Sequence, residues 1–361
     1  RRWSIAAAFA FAIAGVAVSL SGAQPRFDLI IRAGDVIDGT GSPARRADVG
    51  VRGDSIAAVG DLSGAAAART IAATGLVVAP GFIDMHSHSD YTLLVDGRAL
   101  SKVMQGVTTE LLGEADSAGP ALGPAREERE KSLADLELKL DWTTLHSYFS
   151  RVERQKISVN LVSLVASGTI RAGVVGYDDR PATPAELQRM TGLVEEAMQQ
   201  GAAGLSSGLI YQPNSYASTE ELIALSKVAA RHGGIYVSHI RNEGDGLLKA
   251  LDEAIRIGRE AAIQVEILHF KRSSVRMNAT EEAGTIREAA ALIEKAQREG
   301  VRIYADVYPY AASSTTLNTR MPNWAMAGGT ERLLERLRDP GTRAKIRDAV
   351  ETSLSRGVSG A

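Results

Sequence analysis

The stretch Val77-Val78-Ala79-Pro80-Gly81-Phe82-Ile83-Asp84-Met85-His86-Ser87-His88 decides how the rest of the chain is read. An apolar run ends on two histidines. Side chains two apart on a strand face the same side, so the spacing predicts that both imidazoles point one way. Neutral imidazole is a common ligand for zinc. The C-terminal end of a strand is also where α/β barrels build their active sites. One His-x-His is weak evidence, because two histidines on a solvated loop give the same pattern.

The pattern recurs downstream. His239 ends Ile235-Tyr236-Val237-Ser238-His239, and His269 ends Val265-Glu266-Ile267-Leu268-His269. Four of the six histidines therefore sit at candidate strand ends. Scattered core histidines have no reason to prefer those ends, so together they point to a metal site. His146 and His232 lie in helical contexts, Leu145-His146-Ser147 and Arg231-His232-Gly233, and read as structural or surface residues.

Outward from the first histidines the two flanks differ in rhythm. Before Pro80, short apolar or alternating runs (Phe27–Ile31, Val36–Asp38, Asp48–Val51, Ile56–Val59) are broken by turn residues at Gly34-Asp35, Gly39-Thr40-Gly41 and Gly53-Asp54. This predicts a small antiparallel β unit over residues 24–80. After Pro80, apolar strands alternate with helices over residues 81–361, which predicts parallel βα units. The candidate strands are Gly81–Met85, Thr108–Leu112, Asn160–Ala166, Gly201–Leu205, Gly234–Val237, Gln264–Leu268 and Val301–Ala305. Thr183-Pro184-Ala185-Glu186 and Ser218-Thr219-Glu220-Glu221 read as capping boxes, and Gly233 as the glycine that ends the second helix.

Composition narrows the function classes. The chain has 361 residues with Lys+Arg 41 against Asp+Glu 43, a net charge of −2. That balance carries no nucleic-acid footprint. There is no Cys, which removes disulfides, thiolate metal sites and a cysteine nucleophile. Arg1 and Arg2, the apolar run Trp3–Leu20 and Ser21-Gly22-Ala23 read as a secretory signal cut after residue 23. The alternative is an uncleaved anchor helix. Either way the body of the protein is expected to be exported, periplasmic or secreted, with no membrane span after cleavage. Past Asp339-Pro340 the sequence reads as helix and polar coil.

With these residues in view, the sequence resembles the amidohydrolase superfamily and, more narrowly, the N-acyl-D-amino-acid deacylase (D-aminoacylase) family. The likeness runs from about Phe27 to Trp324. It rests on Pro80-Gly81-Phe82-Ile83-Asp84-Met85-His86-Ser87-His88, Gly106-Val107-Thr108-Thr109 and Gly204–Tyr211. It rests also on Ser238–Glu243, His269-Phe270-Lys271 and Asp306-Val307-Tyr308-Pro309-Tyr310. The resemblance implies a (β/α)8 TIM-type barrel carrying a small β-sandwich built from both chain ends. It implies a zinc centre of one or two ions, with His86 and His88 in one subsite and His239 and His269 in the other. It implies a substrate with a free carboxylate, gripped by Lys271, and a contact from Tyr308 or Tyr310.

Two departures qualify it. The family's metal-binding cysteine has no counterpart in Leu112-Gly113-Glu114-Ala115-Asp116-Ser117. Glu114 stands beside the lost position and is the candidate replacement, with Asp116 or a water as alternatives. Hydantoinase-like relatives use a carboxylated lysine on the fourth strand, and Gly201–Ser207 has none. The superfamily's eighth-strand catalytic aspartate is also missing, because only seven barrel strands are countable. The barrel thus reads as incomplete, the natural protein is expected to continue past Ala361, and this segment alone is expected to be inactive. Asp306 reads as structural, and no residue is assigned as catalytic base. The expected activity is zinc-dependent hydrolysis of N-acyl-D-amino acids. The alternatives are another amidohydrolase acting on a cyclic amide or dipeptide, and a non-catalytic metal-binding barrel.

Overall fold

The computed structural model describes residues 26–273, 279–310 and 312–356. The expected signal, residues 1–23, lies outside them. The chain forms two compact units, divided between Pro80 and Gly81. Among the described residues no helix is long and apolar enough to cross a membrane.

Among the described residues the first unit forms a five-stranded sheet: β1 (Phe27–Val36), β2 (Arg45–Arg52), β3 (Ser55–Gly60), β4 (Ala67–Ala72) and β5 (Val77–Val78). The β1–β2 and β2–β3 pairs are antiparallel, but β4 and β5 both run parallel to β1. The sheet is therefore mixed, which corrects the expected antiparallel unit, and a second layer of a sandwich is not found among its described residues. Arg32 explains the crossover. Its guanidinium binds Asp48 at 3.0 Å, the Leu62 carbonyl at 2.8 Å and the Ala65 carbonyl at 2.9 Å, pinning the segment that leads into β4. The expected turn at Gly34-Asp35 is instead a bulge inside β1, so two predicted strands are one. Ala33 takes a left-handed φ of 56° there, and its N–H donates to Asp48 Oδ1 at 2.8 Å.

Among the described residues the second unit carries eight strand segments, all parallel to their neighbours. They are β6 (Phe82–Asp84), β7 (Val107–Leu112), β8 (Asn160–Ser163), β9 (Val165–Ala166), β10 (Gly204–Gly208), β11 (Ile235–His239), β12 (Gln264–Ile267) and β13 (Ile303–Ala305). They form two ladders, β6-β7-β8 and β9-β10-β11-β12-β13. All seven predicted strand positions are occupied, the third being interrupted at Leu164. Two starts shift for a common reason. Gly201 (φ 103°) and Gly300 (φ 89°) close the preceding helices in left-handed conformations, so β10 and β13 begin a few residues later than expected. β6 and β13 each pair on one side only among the described residues, and Phe82, Ile83 and Tyr304 are exposed.

Helices pack outside these ladders and enclose the main apolar core. The helix Pro184–Gln199 has the full reciprocal box of Thr183 and Glu186. The helix Thr219–Arg231 has only half of its predicted box. Ser218 accepts from the Glu221 N–H at 3.1 Å, but the Glu221 carboxylate is taken by buried Arg171 at 2.5 Å. A buried guanidinium needs its counter-charge more than a cap needs a second bond. On the inner face Leu111, Leu164, Val237 and Leu268 form an apolar plug. Ile235, Val237 and His239 alternate onto one face, so the plug leads along β11 to His239.

Candidate metal centre and pocket

The strand ends converge on one carboxylate. Glu114, just past β7, receives His86 Nε2 at 2.6 Å and His88 Nε2 at 2.8 Å on Oε2. Its Oε1 lies 3.2 Å from His239 Nδ1 and 3.7 Å from His269 Nε2. The two latter rings are themselves 2.9 Å apart, Nε2 to Nδ1. Two donor groups result, His86-His88-Glu114 and Glu114-His239-His269, with Glu114 common to both.

Backbone conformation accounts for Glu114 rather than its neighbour. Ala115 sits at φ 49°, so the chain reverses locally and Glu114 and Asp116 part company. Gly208 makes room for this turn, since a Cβ there would lie 2.3 Å from that of Ala115. Asp116, the alternative ligand, is bound by Arg129 and by Thr169 Oγ1 at 2.6 Å. His146 is exposed, and His232 pairs with Glu195 at 2.6 Å on a helix end, both away from the cluster.

The carboxylate and the rings hold each other's charge states. Burial works against a charged Glu114, yet hydrogen bonds from His239, His269, His86 and His88 outweigh it and hold the group well below the usual carboxylate range. Burial also opposes charge on His86, but Asp306 and Glu114 push it up to about 10. Burial dominates at His239 and keeps it below the ordinary imidazole value, as a neutral ligand requires. His239 Nε2 is buried with no hydrogen-bond partner among the described residues. An orphaned ring nitrogen in a ring of imidazoles around one carboxylate fits a divalent cation, and the N/O donor set suits zinc.

Beyond the cluster lies a cavity of about 1080 Å³. Lys271 lines it, with Nζ 2.7 Å from Glu243 Oε1 and 5.5 Å from the centre of the Tyr308 ring. Tyr308 stacks on Tyr310 at 5.9 Å, so both candidate tyrosines stand together at the rim. Asp306, read from sequence as structural, does hold the backbone N–H of His269 at 2.5 Å, where His269 itself sits at φ 39°. It also reaches into the site. Its Oδ1 is 3.7 Å from His86 Nδ1, and its Oδ2 is buried without a partner among the described residues.

Glu243 is the functional residue that sequence reasoning missed. It lies on the loop after β11 and binds His269 Nδ1 at 2.6 Å. A carboxylate behind a ring nitrogen is the usual means of fixing a ligand's tautomer. The available signal was its place at the end of the Ser238–Glu243 run, four residues past a strand-terminal histidine. Tyr211, which meets the His239 ring edge-on at 5.2 Å, was likewise seen only as part of a run.

Comparison with known proteins places the chain in a family. The amidohydrolase family model matches residues 69–358. The D-aminoacylase of Alcaligenes xylosoxydans xylosoxydans is 42% identical over 301 residues, 83% of this chain and 60% of the relative. A D-aminoacylase structure, described for one-metal activation and second-metal attenuation at its binuclear metal centre, has a TM-score of 0.73 at 39% identity, covering 81% of this chain and 60% of that one. The N-acyl-D-glutamate deacylase from Bordetella bronchiseptica, complexed with zinc and a phosphonate mimic of the tetrahedral intermediate, has a TM-score of 0.73 at 35% identity. It covers 82% of this chain and 61% of that one. The chain therefore spans about 60% of the length of the relatives it matches.

Proposed function

Since the chain belongs to the amidohydrolase family, we propose that its protein hydrolyses the amide bond of N-acyl-D-amino acids, releasing a carboxylate and a D-amino acid. The observation that carries this reading is the placing of Lys271. Its ammonium lies 3.0 Å from a ring nitrogen of His269, so a cation suited to a free carboxylate adjoins the metal-ligand cluster in one cavity. D-aminoacylase and N-acyl-D-glutamate deacylase are among the relatives that match most of this chain, at 42% and 38% identity.

Glu114, His86, His88, His239 and His269 would hold one or two zinc ions. When bound, zinc supplies Lewis acidity toward an amide carbonyl and brings the pKa of water near 7. The protein's own groups do the rest. Lys271 fixes the carboxylate of the substrate and thereby the position of its amide. Tyr308, against Lys271, walls that subsite. Val237 and Leu268, buried in the apolar plug, lie two residues and one residue before His239 and His269 in the chain. A free carboxylate is what Lys271 selects, which favours this reading over a cyclic amide.

We also infer that the strand array belongs to a (β/α)8 barrel and the first unit to a small β-sandwich. One-sided pairing of β6 and β13, beside exposed Phe82, Ile83 and Tyr304, supports a further strand between them. Export rests on the signal-like residues 1–23 and is tested by sequencing the mature N-terminus. The partner is a small molecule, and no nucleic-acid role is proposed.

The functional test is hydrolysis of paired D- and L-N-acyl amino acids by the full-length zinc-loaded protein, followed by release of free amine. Turnover of the D series alone supports the reading. Turnover of neither, with zinc bound, supports a non-catalytic barrel instead, and turnover only of cyclic amides or dipeptides moves the substrate class.

A further inference from the structure

Glu243 touches two different parts of the site with one atom. Its Oε1 accepts from His269 Nδ1 at 2.6 Å and from Lys271 Nζ at 2.7 Å. The 3.0 Å separation of Nδ1 and Nζ follows from sharing that oxygen. His269 then presents Nε2 toward Glu114, and Lys271 is held at the cavity wall. The carboxylate is itself largely buried, at 12% side-chain exposure.

The loop that carries it does not depend on that carboxylate. Asn242 Oδ1 accepts from the N–H groups of Gly244 at 2.8 Å and Gly246 at 3.0 Å. Arg241 is clamped by Glu253 through two bonds of 2.9 Å and by the carbonyls of Ser215 and Ala217. The Glu243 carbonyl accepts from Ser273 N–H at 2.8 Å, a bond that any side chain at position 243 would keep. The backbone is thus fixed by its neighbours, and the Glu243 side chain is left to act on the site.

We propose that Glu243 is a positioning residue that couples the metal centre to the substrate carboxylate. One oxygen sets the His269 tautomer and also aims Lys271, so the two functions respond to a single group. This rests on the functional reading above for the Lys271 half, whereas the His269 half stands on metal binding alone. A bare lysine on a four-carbon stem has many rotamers, and a shared acceptor removes most of them before substrate arrives. A ligand histidine without its backing acceptor loses orientation and basicity.

The test uses the full-length protein with the variants Glu243→Gln, Glu243→Asp, Lys271→Met and the double variant Glu243→Gln/Lys271→Met. Zinc affinity is read by chelator competition, and KM and kcat on an N-acyl-D-amino acid are read separately. For Glu243→Gln we expect zinc affinity to fall about 10- to 100-fold and KM to rise. Glu243→Asp restores part of the zinc affinity. Lys271→Met raises KM and leaves zinc affinity alone, and adding Glu243→Gln to it raises KM no further. Wild-type zinc affinity and KM in folded Glu243→Gln would overturn the proposal. So would a loss of melting temperature in the zinc-free state with unchanged zinc affinity in the folded fraction, which makes the residue a loop support. If the wild type turns over no N-acyl-D-amino acid, the functional reading fails, and the zinc arm still decides the role of Glu243 toward His269.

Discussion

The two histidine pairs meet the same carboxylate on very different footings. His239 ends β11 and His269 follows β12, strands paired on both sides, and their side chains are 7% and 9% exposed. Glu243 backs His269 through its ring, and Asp306 holds its backbone. His86 and His88 follow β6, a three-residue strand paired only with β7 among the described residues, and His88 is 71% exposed. A donor set is strong when its members are held before the ligand arrives. The comparison teaches that the buried half is the prepared one, and that Glu114 is the element both halves need.

The hardest blow to this comparison is removal of the shared carboxylate. Glu114→Ala should abolish both donor groups at once, lowering zinc affinity by about 100-fold or more and taking hydrolysis to background. Zinc content by elemental analysis checks it, and unchanged metal with unchanged turnover would rule Glu114 out as a ligand. Next in size is the difference between the halves. His239→Ala should cost about tenfold more zinc affinity than His88→Ala, because His239 belongs to the buried half of the donor set while His88 is 71% exposed. Equal losses, measured by chelator titration, would erase the distinction.

A smaller effect separates metal from substrate. Lys271→Met removes one charge-assisted hydrogen bond worth about 1.5–3 kcal/mol, so KM should rise about 10- to 100-fold with zinc affinity kept. The smallest concerns the buried strand carboxyl of Glu266. Burial, aided by the charge of Asp306, pushes it up to about 7 from 4.5. The folded state therefore binds this proton more tightly than the unfolded state. Its stabilising contribution is complete below 4.5 and is lost as pH rises through about 7. Glu266→Gln should flatten that slope in thermal unfolding of the zinc-free protein. A slope identical to wild type would show that other groups cause it.

Much of this was legible in the sequence because β11 and β12, the strands that lead to His239 and His269, are buried along almost their whole length and are rich in apolar residues. The four strand-end histidines stood out against a chain with so few. Other features hid for physical reasons. Ala67–Ala72 has the sequence Ala-Ala-Arg-Thr-Ile-Ala, with a single large apolar residue to announce a strand, and the segment leading into it is held by Arg32, 30 residues before Leu62. The choice between Glu114 and Asp116 turns on a left-handed alanine between them, a conformation that alanine's chemistry does not advertise. Ser218–Glu221 read as a complete capping box because the buried Arg171 that claims Glu221 lies 50 residues away. Glu243 was in view as part of a run, but its role exists only once β11 and β12 lie side by side.

The most direct test of the central claim is anomalous diffraction at the zinc edge from crystals of the zinc-loaded protein. The account predicts a peak within bonding distance, about 2.0–2.2 Å, of Glu114, His239 and His269, with any second peak on the His86/His88 side of the same carboxylate. A zinc peak that makes no bond to Glu114, or that lies only among surface histidines such as His146 and His232, would contradict it.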